Sequence, residues 1–329
     1  MTYETIQYET VEPGIGLLSL NRPRIYNSVN RAMMEELESF WQERLHDLDT
    51  HVILLRGNGD KGFCAGLDMR DFMKSAPQMT VDQHYAFQVR LARLLLAMRR
   101  APQPIVCAVH GAGAGLGFSF AMASDVRVIS PDARFSAAYI NIGLGGADMA
   151  CSYFLPRLIG AGRAYEFMLT GNFMSAQEAM QLGFASRLVE RDKLLETALE
   201  LARTMNSKNP MGLRLTKEAI NVNLDAGGLE QALQVEDRNQ ALLVTRSLLG
   251  TPAGVAGSCA ALCRHRITTH TAAKAAQAAG DGCRLPARKS LRLTQTPRIP
   301  SQADGRAVGA AFPEASNLLS IAFHRALVF

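Results

Sequence analysis

Two glycine-rich stretches carry the chemistry this sequence can do. One reads R-G-N-G-D-K-G-F-C-A-G-L-D-M-R-D-F over residues 56–72, the other H-G-A-G-A-G-L-G-F over residues 110–118. Glycine lets backbone come close to a bound group and adopts angles denied to other residues. The second stretch runs into an apolar helical segment, Leu116 to Ala123. A helix start offers unpaired N–H groups and the positive end of its dipole to a developing negative charge. Two such loops, each following a strand and one opening a helix, can pair their N–H groups into an oxyanion hole. Taken singly, each reads equally well as a surface loop or a close strand–helix contact with no ligand.

The elements that must hold these loops follow from periodicity. Pro104 to Val109 has the length and β-branched content of a buried strand, and Asp125 to Ile129 is a second. Ala112 to Gly115 reads as a turn between the first strand and the helix. Upstream, Tyr3–Thr10 and Gly16–Leu20 read as strands around a Pro13-Gly14 turn, and His51–Arg56 as a third. Ser28 or Asn30 can cap a helix running to about Leu48, with Met34, Leu37, Trp41, Leu45 and Leu48 on one face. A helix from Val81 to Arg100 turns Leu91, Leu94, Leu95 and Met98 inward and leaves Arg90, Arg93, Arg99 and Arg100 as a solvated basic edge. Phe135–Ile142 reads as extended, and Gly143 to Asp148 opens a helix carrying L-P-R-L-I-G at 155–160. Helices follow at 163–170, 175–182, 191–205, 211–225 and 228–249, with a strand at 185–189. Recurring strand–strand–helix units followed by helices imply a wound α/β core with a helical end.

The totals exclude several classes. With 329 residues, 48% hydrophobic and 20% charged, the composition is that of a globular protein, and no apolar run approaches the roughly 20 residues of a membrane span. The first ten residues lack an apolar signal region and the last are no peroxisomal tripeptide, so a cytoplasmic location is expected. Lys and Arg outnumber Asp and Glu by 35 to 30, but the excess sits after residue 250, and the body is slightly acidic. Nucleic-acid binding therefore loses its main support. Cysteines 64, 107, 151, 259, 263 and 283 show no disulfide or metal spacing and read as reduced and metal-free. The division expected is a core over 1–200, a helical oligomerisation region over 201–250, and a basic, alanine-rich, unstructured tail over 251–329.

The blocks G-F-C-A-G-L-D-M (62–69), H-G-A-G-A-G-L-G-F (110–118), D-V-R-V (125–128), L-P-R-L-I-G (155–160) and L-T-G-N-F-M-S-A-Q-E-A-M-Q-L-G-F (169–184) recur in this order in one known family. The chain closely resembles the enoyl-CoA hydratase/isomerase (crotonase) superfamily from about residue 5 to 248. The resemblance implies an α/β spiral of ββα turns with a C-terminal helical region, assembled as a homotrimer or dimer of trimers. It implies an acyl-CoA thioester substrate whose carbonyl oxygen sits between the backbone N–H groups of Leu67 and Leu116. Coenzyme A, part of the substrate rather than a separate cofactor, would lie along Ala65, Gly66, Asp68 and Met69 beside Gly115, with Arg24 matching a basic residue that reaches it. No metal, membrane or nucleic-acid partner is implied.

The departures from the family pattern are as informative. Where hydratases of this family carry two glutamates, the matching positions are Ser119 and Tyr139, neither a strong base at neutral pH. Asp148 resembles, allowing a one-residue offset, an aspartate of dienoyl-CoA isomerases. Two roles stay open for it: catalytic base, or cap of the helix it begins. Ser119 has no His or acid tied to it that would make it a protease-like nucleophile, and His110 reads as a spacer. Moving a double bond needs one proton shuttle, so isomerisation is favoured over hydration. The alternatives are a hydratase using Asp148 or another acid, and a non-catalytic acyl-CoA binder.

Overall fold

The buried strand Ile105–Val109 lies inside a six-stranded sheet, flanked on both sides by parallel neighbours. Residues 3–249 are described in this computed structural model. In chain order the strands are β1 (Ile6–Glu12), β2 (Ile15–Leu20), β3 (Val52–Gly57), β4 (Ile105–Val109), β5 (Ala112–Ala114), β6 (Val126–Ile129), β7 (Arg134–Ser136), β8 (Met174–Ser175) and β9 (Arg187–Leu188). The helices are α1 (Arg31–Arg44), α2 (Met69–Ser75), α3 (Val81–Arg100), α4 (Leu116–Ala123), α5 (Cys151–Ile159), α6 (Ala161–Thr170), α7 (Ala176–Gln181), α8 (Leu194–Asn206), α9 (Pro210–Asn223) and α10 (Leu229–Leu249). The chain divides into two units, Met1–Leu243 and Val244–Phe329. Only the end of α10 is described in the second, so the tail expected over 251–329 lies outside the described residues, as do Cys259, Cys263 and Cys283.

One sheet runs β1-β2-β3-β4-β6-β9, antiparallel between β1 and β2 and parallel thereafter; a smaller one runs β5-β7-β8. The parallel strands are covered on both faces, and alternate residues enter two separate cores. Ile53, Leu55, Ile105, Cys107, Val109 and Ile129 pack with α1, α3 and α4. Val52, Leu54, Val106, Ala108 and Val128 meet Leu194, Ala198 and Ala202 of α8. Every residue of α4 is buried, which is why its sequence is apolar all round. The four inward residues of α3, Leu91, Leu94, Leu95 and Met98, are buried as their spacing predicts, each worth about 1.5–3 kcal/mol.

Several boundaries differ from the sequence reading, for local reasons. Asn30, not Ser28, caps α1, accepting the Met33 N–H at 3.0 Å. The helix stops at Arg44 because Asp47 draws the Asp49 and Thr50 N–H groups into a turn, leaving Leu48 exposed. The stretch expected as a turn, Ala112–Ala114, is a strand parallel to β7. The segment expected as extended is β7 followed by a 3-10 turn over Ala138–Ile142. Nor is the basic edge of α3 simply solvated, since Arg90 pairs with Glu38 at 2.5 Å and Arg99 with Asp125 at 3.0 Å.

Candidate active site

The loop between β3 and α2 is stitched down on both flanks. Asn27 is fully buried in the left-handed region, φ 57 at Tyr26 and 52 at Asn27, and its side-chain amide nitrogen lies 3.0–3.2 Å from the carbonyls of Asn58, Gly62 and Phe63. Asparagine tolerates that backbone region better than most residues. The Ala65 N–H donates to the Tyr26 carbonyl at 2.9 Å. On the other flank the Cys64 N–H donates to Ala112 and the Ala114 N–H to Cys64, both at 3.0 Å. Val29 pairs in parallel with Leu67, using the Gly66 carbonyl and the Asp68 N–H at 2.8 Å each. A parallel bridge of this kind turns the N–H of Leu67 itself away from Val29.

That N–H belongs to a backbone in contact with the start of α4. Leu116 is the first residue of the helix, where the N–H has no intrahelical acceptor. A Cβ added to Gly66, whose φ is +96, would stand 2.9 Å from the Ala114 oxygen and 3.2 Å from the Leu116 nitrogen. At Gly117 it would meet the Cys64 carbonyl at 2.1 Å. These two glycines let the loop and the start of α4 touch.

Ser119 and Tyr139 meet beside it. Ser119 is fully buried on α4, and its Oγ lies 3.0 Å from the phenol oxygen of Tyr139 on the 3-10 turn. The Tyr139 ring packs against the turn that opens α4, 3.5 Å from where a Cβ on Gly115 would be. Cys151, the first residue of α5, is buried and close enough to both for their side chains to influence its ionisation. Burial, with the neighbouring thiol and carboxylate adding to it, holds the Tyr139 phenol well above its ordinary range. Burial also pushes the Cys151 thiol up to about 12. All three groups therefore stay protonated at neutral pH and act as donors or polar walls rather than bases.

Asp148 is the carboxylate whose charge reaches this cluster, raising both the phenol and the thiol. It does not cap α5 with its side chain. The cap position is Ala150, in the left-handed region at φ 62, and no side chain accepts there. The Asp148 Oδ1 instead accepts the Met149 N–H at 2.8 Å and the side-chain amide of Gln88, on α3, at 2.5 Å. Partial burial raises its pKa, and those two hydrogen bonds oppose the rise. Of the two roles left open by the sequence, capping is the one the geometry removes.

The remaining candidates divide by side chain. Ala65 is exposed, Met69 half-buried, Gly66 and Gly115 buried. Asp68 spends its carboxylate on structure, pairing with Arg22 at 2.9 Å and capping α2 through the Asp71 N–H at 3.1 Å. Arg24 is exposed, and its carbonyl accepts the Lys61 ammonium at 3.1 Å, which lies over the Tyr26 ring. Sequence reasoning missed Lys61, Asn27, Gln88 and Cys151; only Lys61 had a signal, a cation inside the first glycine-rich loop. His110 passes between the loops, its carbonyl accepting the Phe63 N–H at 2.8 Å, but it is more than a spacer. Its ring is buried with Nε2 unpartnered among the described residues. A cavity of about 690 Å³ opens between α3, α5 and α9, walled by Leu95, Leu96 and Phe154 together with Arg99, Lys217 and Asp225; none of the candidate site residues lines it. Among the described residues, no three His, Cys, Asp or Glu side chains are grouped to hold a metal, and no helix is long and apolar enough to cross a membrane.

Comparison with known proteins places this arrangement. Residues 10–247 match the family described as enoyl-CoA hydratase/isomerase. A probable enoyl-CoA hydratase of Mycobacterium leprae is 38% identical over 232 residues, covering 69% of this chain and 78% of that one. The 1,2-epoxyphenylacetyl-CoA isomerase of Escherichia coli is 33% identical over 232 residues, covering 70% and 87%. Among solved structures, a monofunctional enoyl-CoA isomerase from Mycobacterium smegmatis superposes with a TM-score of 0.59 at 36% identity, covering 70% and 98%. An enoyl-CoA hydratase from Bacillus anthracis does so with a TM-score of 0.69 at 30% identity, covering 74% and 92%. The fold is thus the crotonase-type α/β spiral with helices at its end, and the chain belongs to the enoyl-CoA hydratase/isomerase family.

Proposed function

We propose that the protein moves the double bond of an enoyl-CoA thioester, with Asp148 as the single proton shuttle. The observation that carries this reading is Asp148 itself: a half-buried carboxylate, not spent on a helix cap, whose charge reaches the buried Tyr139 and Cys151, neither of which ionises at neutral pH. The thioester oxygen lies between the N–H groups of Leu67 and Leu116. As the α-proton leaves, negative charge gathers on that oxygen, and each donor aimed there stabilises it by about 3–4 kcal/mol. Asp148 takes the proton from C2 of a 3-enoyl thioester and returns it at C4, so the double bond moves into conjugation and no atom is gained or lost. Hydration needs a second acid–base group to activate and hold water, and the Ser119–Tyr139 pair supplies only neutral hydroxyls. Coenzyme A runs over the backbone of Ala65, Gly66, Asp68 and Met69 past Gly115 toward Arg24, and no separate cofactor takes part.

The division into a spiral core over 1–200 and a helical region over 201–250 that joins three chains belongs to the same reading. So does a reducing, cytoplasmic setting, which suits the free thiols of Cys64, Cys107 and Cys151. Named relatives include both a hydratase and isomerases, so product identity is the test. A 3-enoyl-CoA incubated with the protein should give its 2-enoyl isomer at unchanged mass. Product one water heavier as the main species would make the protein a hydratase, and binding without any product would make it an acyl-CoA binder.

A further inference from the structure

We propose that Gln88 is a positioning residue, which grips the Asp148 carboxylate by Oδ1 and so presents Oδ2 to the substrate. The inference rests on the reading of Asp148 as the proton shuttle. Both hydrogen bonds that Asp148 accepts fall on the same oxygen, from the Gln88 amide at 2.5 Å and the Met149 N–H at 2.8 Å. Oδ2 has no partner among the described residues. A carboxylate held this way has lost its freedom to swap oxygens, while the atom that must take a proton stays unencumbered.

Gln88 is an exposed residue of α3, a helix whose start is closed by a capping box at Thr80 and Gln83 and whose later turns, from Leu91 on, pack into the core. Met149 and Ala150 both adopt left-handed angles, φ 44 and 62, although neither is glycine. Such strain persists where surrounding structure enforces it, and here it brings the Met149 N–H onto Oδ1. An amide also suits the task chemically. It donates without ionising, so it favours the charged, proton-accepting form of the carboxylate against the cost of burial. The titratable groups facing Asp148 are Tyr139 from the 3-10 turn and Cys151 from α5, both protonated at neutral pH. No charged side chain of α3 acts on it, and Ser119 of α4 is neutral.

The test compares the full-length parent, Gln88→Leu, Gln88→Glu and Asp148→Asn. The apparent pKa of Asp148 is read by titrating aspartate labelled at its carboxyl carbon, and the pH profile of kcat is measured on a 3-enoyl-CoA. Gln88→Leu should raise the carboxyl pKa by about one unit and move the acid limb of kcat by the same amount. Gln88→Glu, which sets a second carboxyl against the first, should raise both further. KM should change less than kcat in each. An unmoved carboxyl pKa in Gln88→Leu, or a moved pKa with an unmoved kcat limb, overturns the positioning role. Should Asp148→Asn turn over like the parent, the shuttle reading itself falls, a result distinct from any failure at Gln88.

Discussion

His110 shows how much a single buried ring can set the behaviour of the chain around it. Burial, then the nearby Arg191 guanidinium, lowers its pKa, so the folded protein resists protonating it. The unfolded chain takes up a proton near pH 6.5, and the native state does not until lower pH. Unfolded chains thus bind more protons in this window, and stability falls as pH drops below about 6.5. Thermal melts at pH 7.5 and 5.5 should show a larger loss for the parent than for His110→Asn, which removes the titrating group. Equal losses in the two proteins would mean that His110 charges as readily in the folded state as in the unfolded one. Asp148 is moved the other way by the same cause: partial burial disfavours its charged form and raises its pKa, against two hydrogen bonds that lower it.

At the scale of elements, the site is made by two loops touching, and Gly66 is where they touch most closely. Gly66→Ala would put a methyl group 3.2 Å from the Leu116 nitrogen, in a backbone conformation with φ +96 that alanine resists. We expect turnover to fall by about 10²–10³, the usual cost of a lost oxyanion donor, with about 1–3 kcal/mol of strain lowering the melting temperature. Retained turnover would place the hole elsewhere. The loops themselves were legible in the sequence because glycine spacing and the apolar run after Gly115 are local signals. Helices α3 and α4 begin and end where their periodicity says they should. Other elements left no such trace. Ala112–Ala114 carries no strand signature, and it is a strand only because Arg134–Ser136 lies beside it. Helix α2 hides in the first glycine-rich loop, announced only by Asp68 as its cap. Gln88 and Asp148 are 60 positions apart on different elements, so no spacing rule could join them. The same holds for Cys151, which reaches the Ser119–Tyr139 pair only through the fold.

Among the described residues, large apolar side chains of α9 and α10 stand exposed. Leu229 is 74% exposed and Leu233, one turn further along α10, is 44% exposed; Ile220 and Val222 of α9 are at 56% and 50%. Surface of this kind marks association, and we expect three chains to cover it with one another. Light scattering on the full-length protein should give a three- or six-chain mass, and replacing Leu229 and Leu233 with aspartate should reduce it; a monomeric parent contradicts the expectation. The proposed reaction turns on one event, removal of the α-proton while two backbone N–H groups hold the thioester oxygen. Exchange of that proton in deuterated water reads the event without waiting for product. An acyl-CoA incubated with the parent should gain deuterium at C2. In Asp148→Asn the rate should fall by about 10²–10⁴, the usual worth of a general base, with thioester binding and melting temperature maintained. Equal exchange in parent and variant, or none in a parent that binds the thioester, would contradict it.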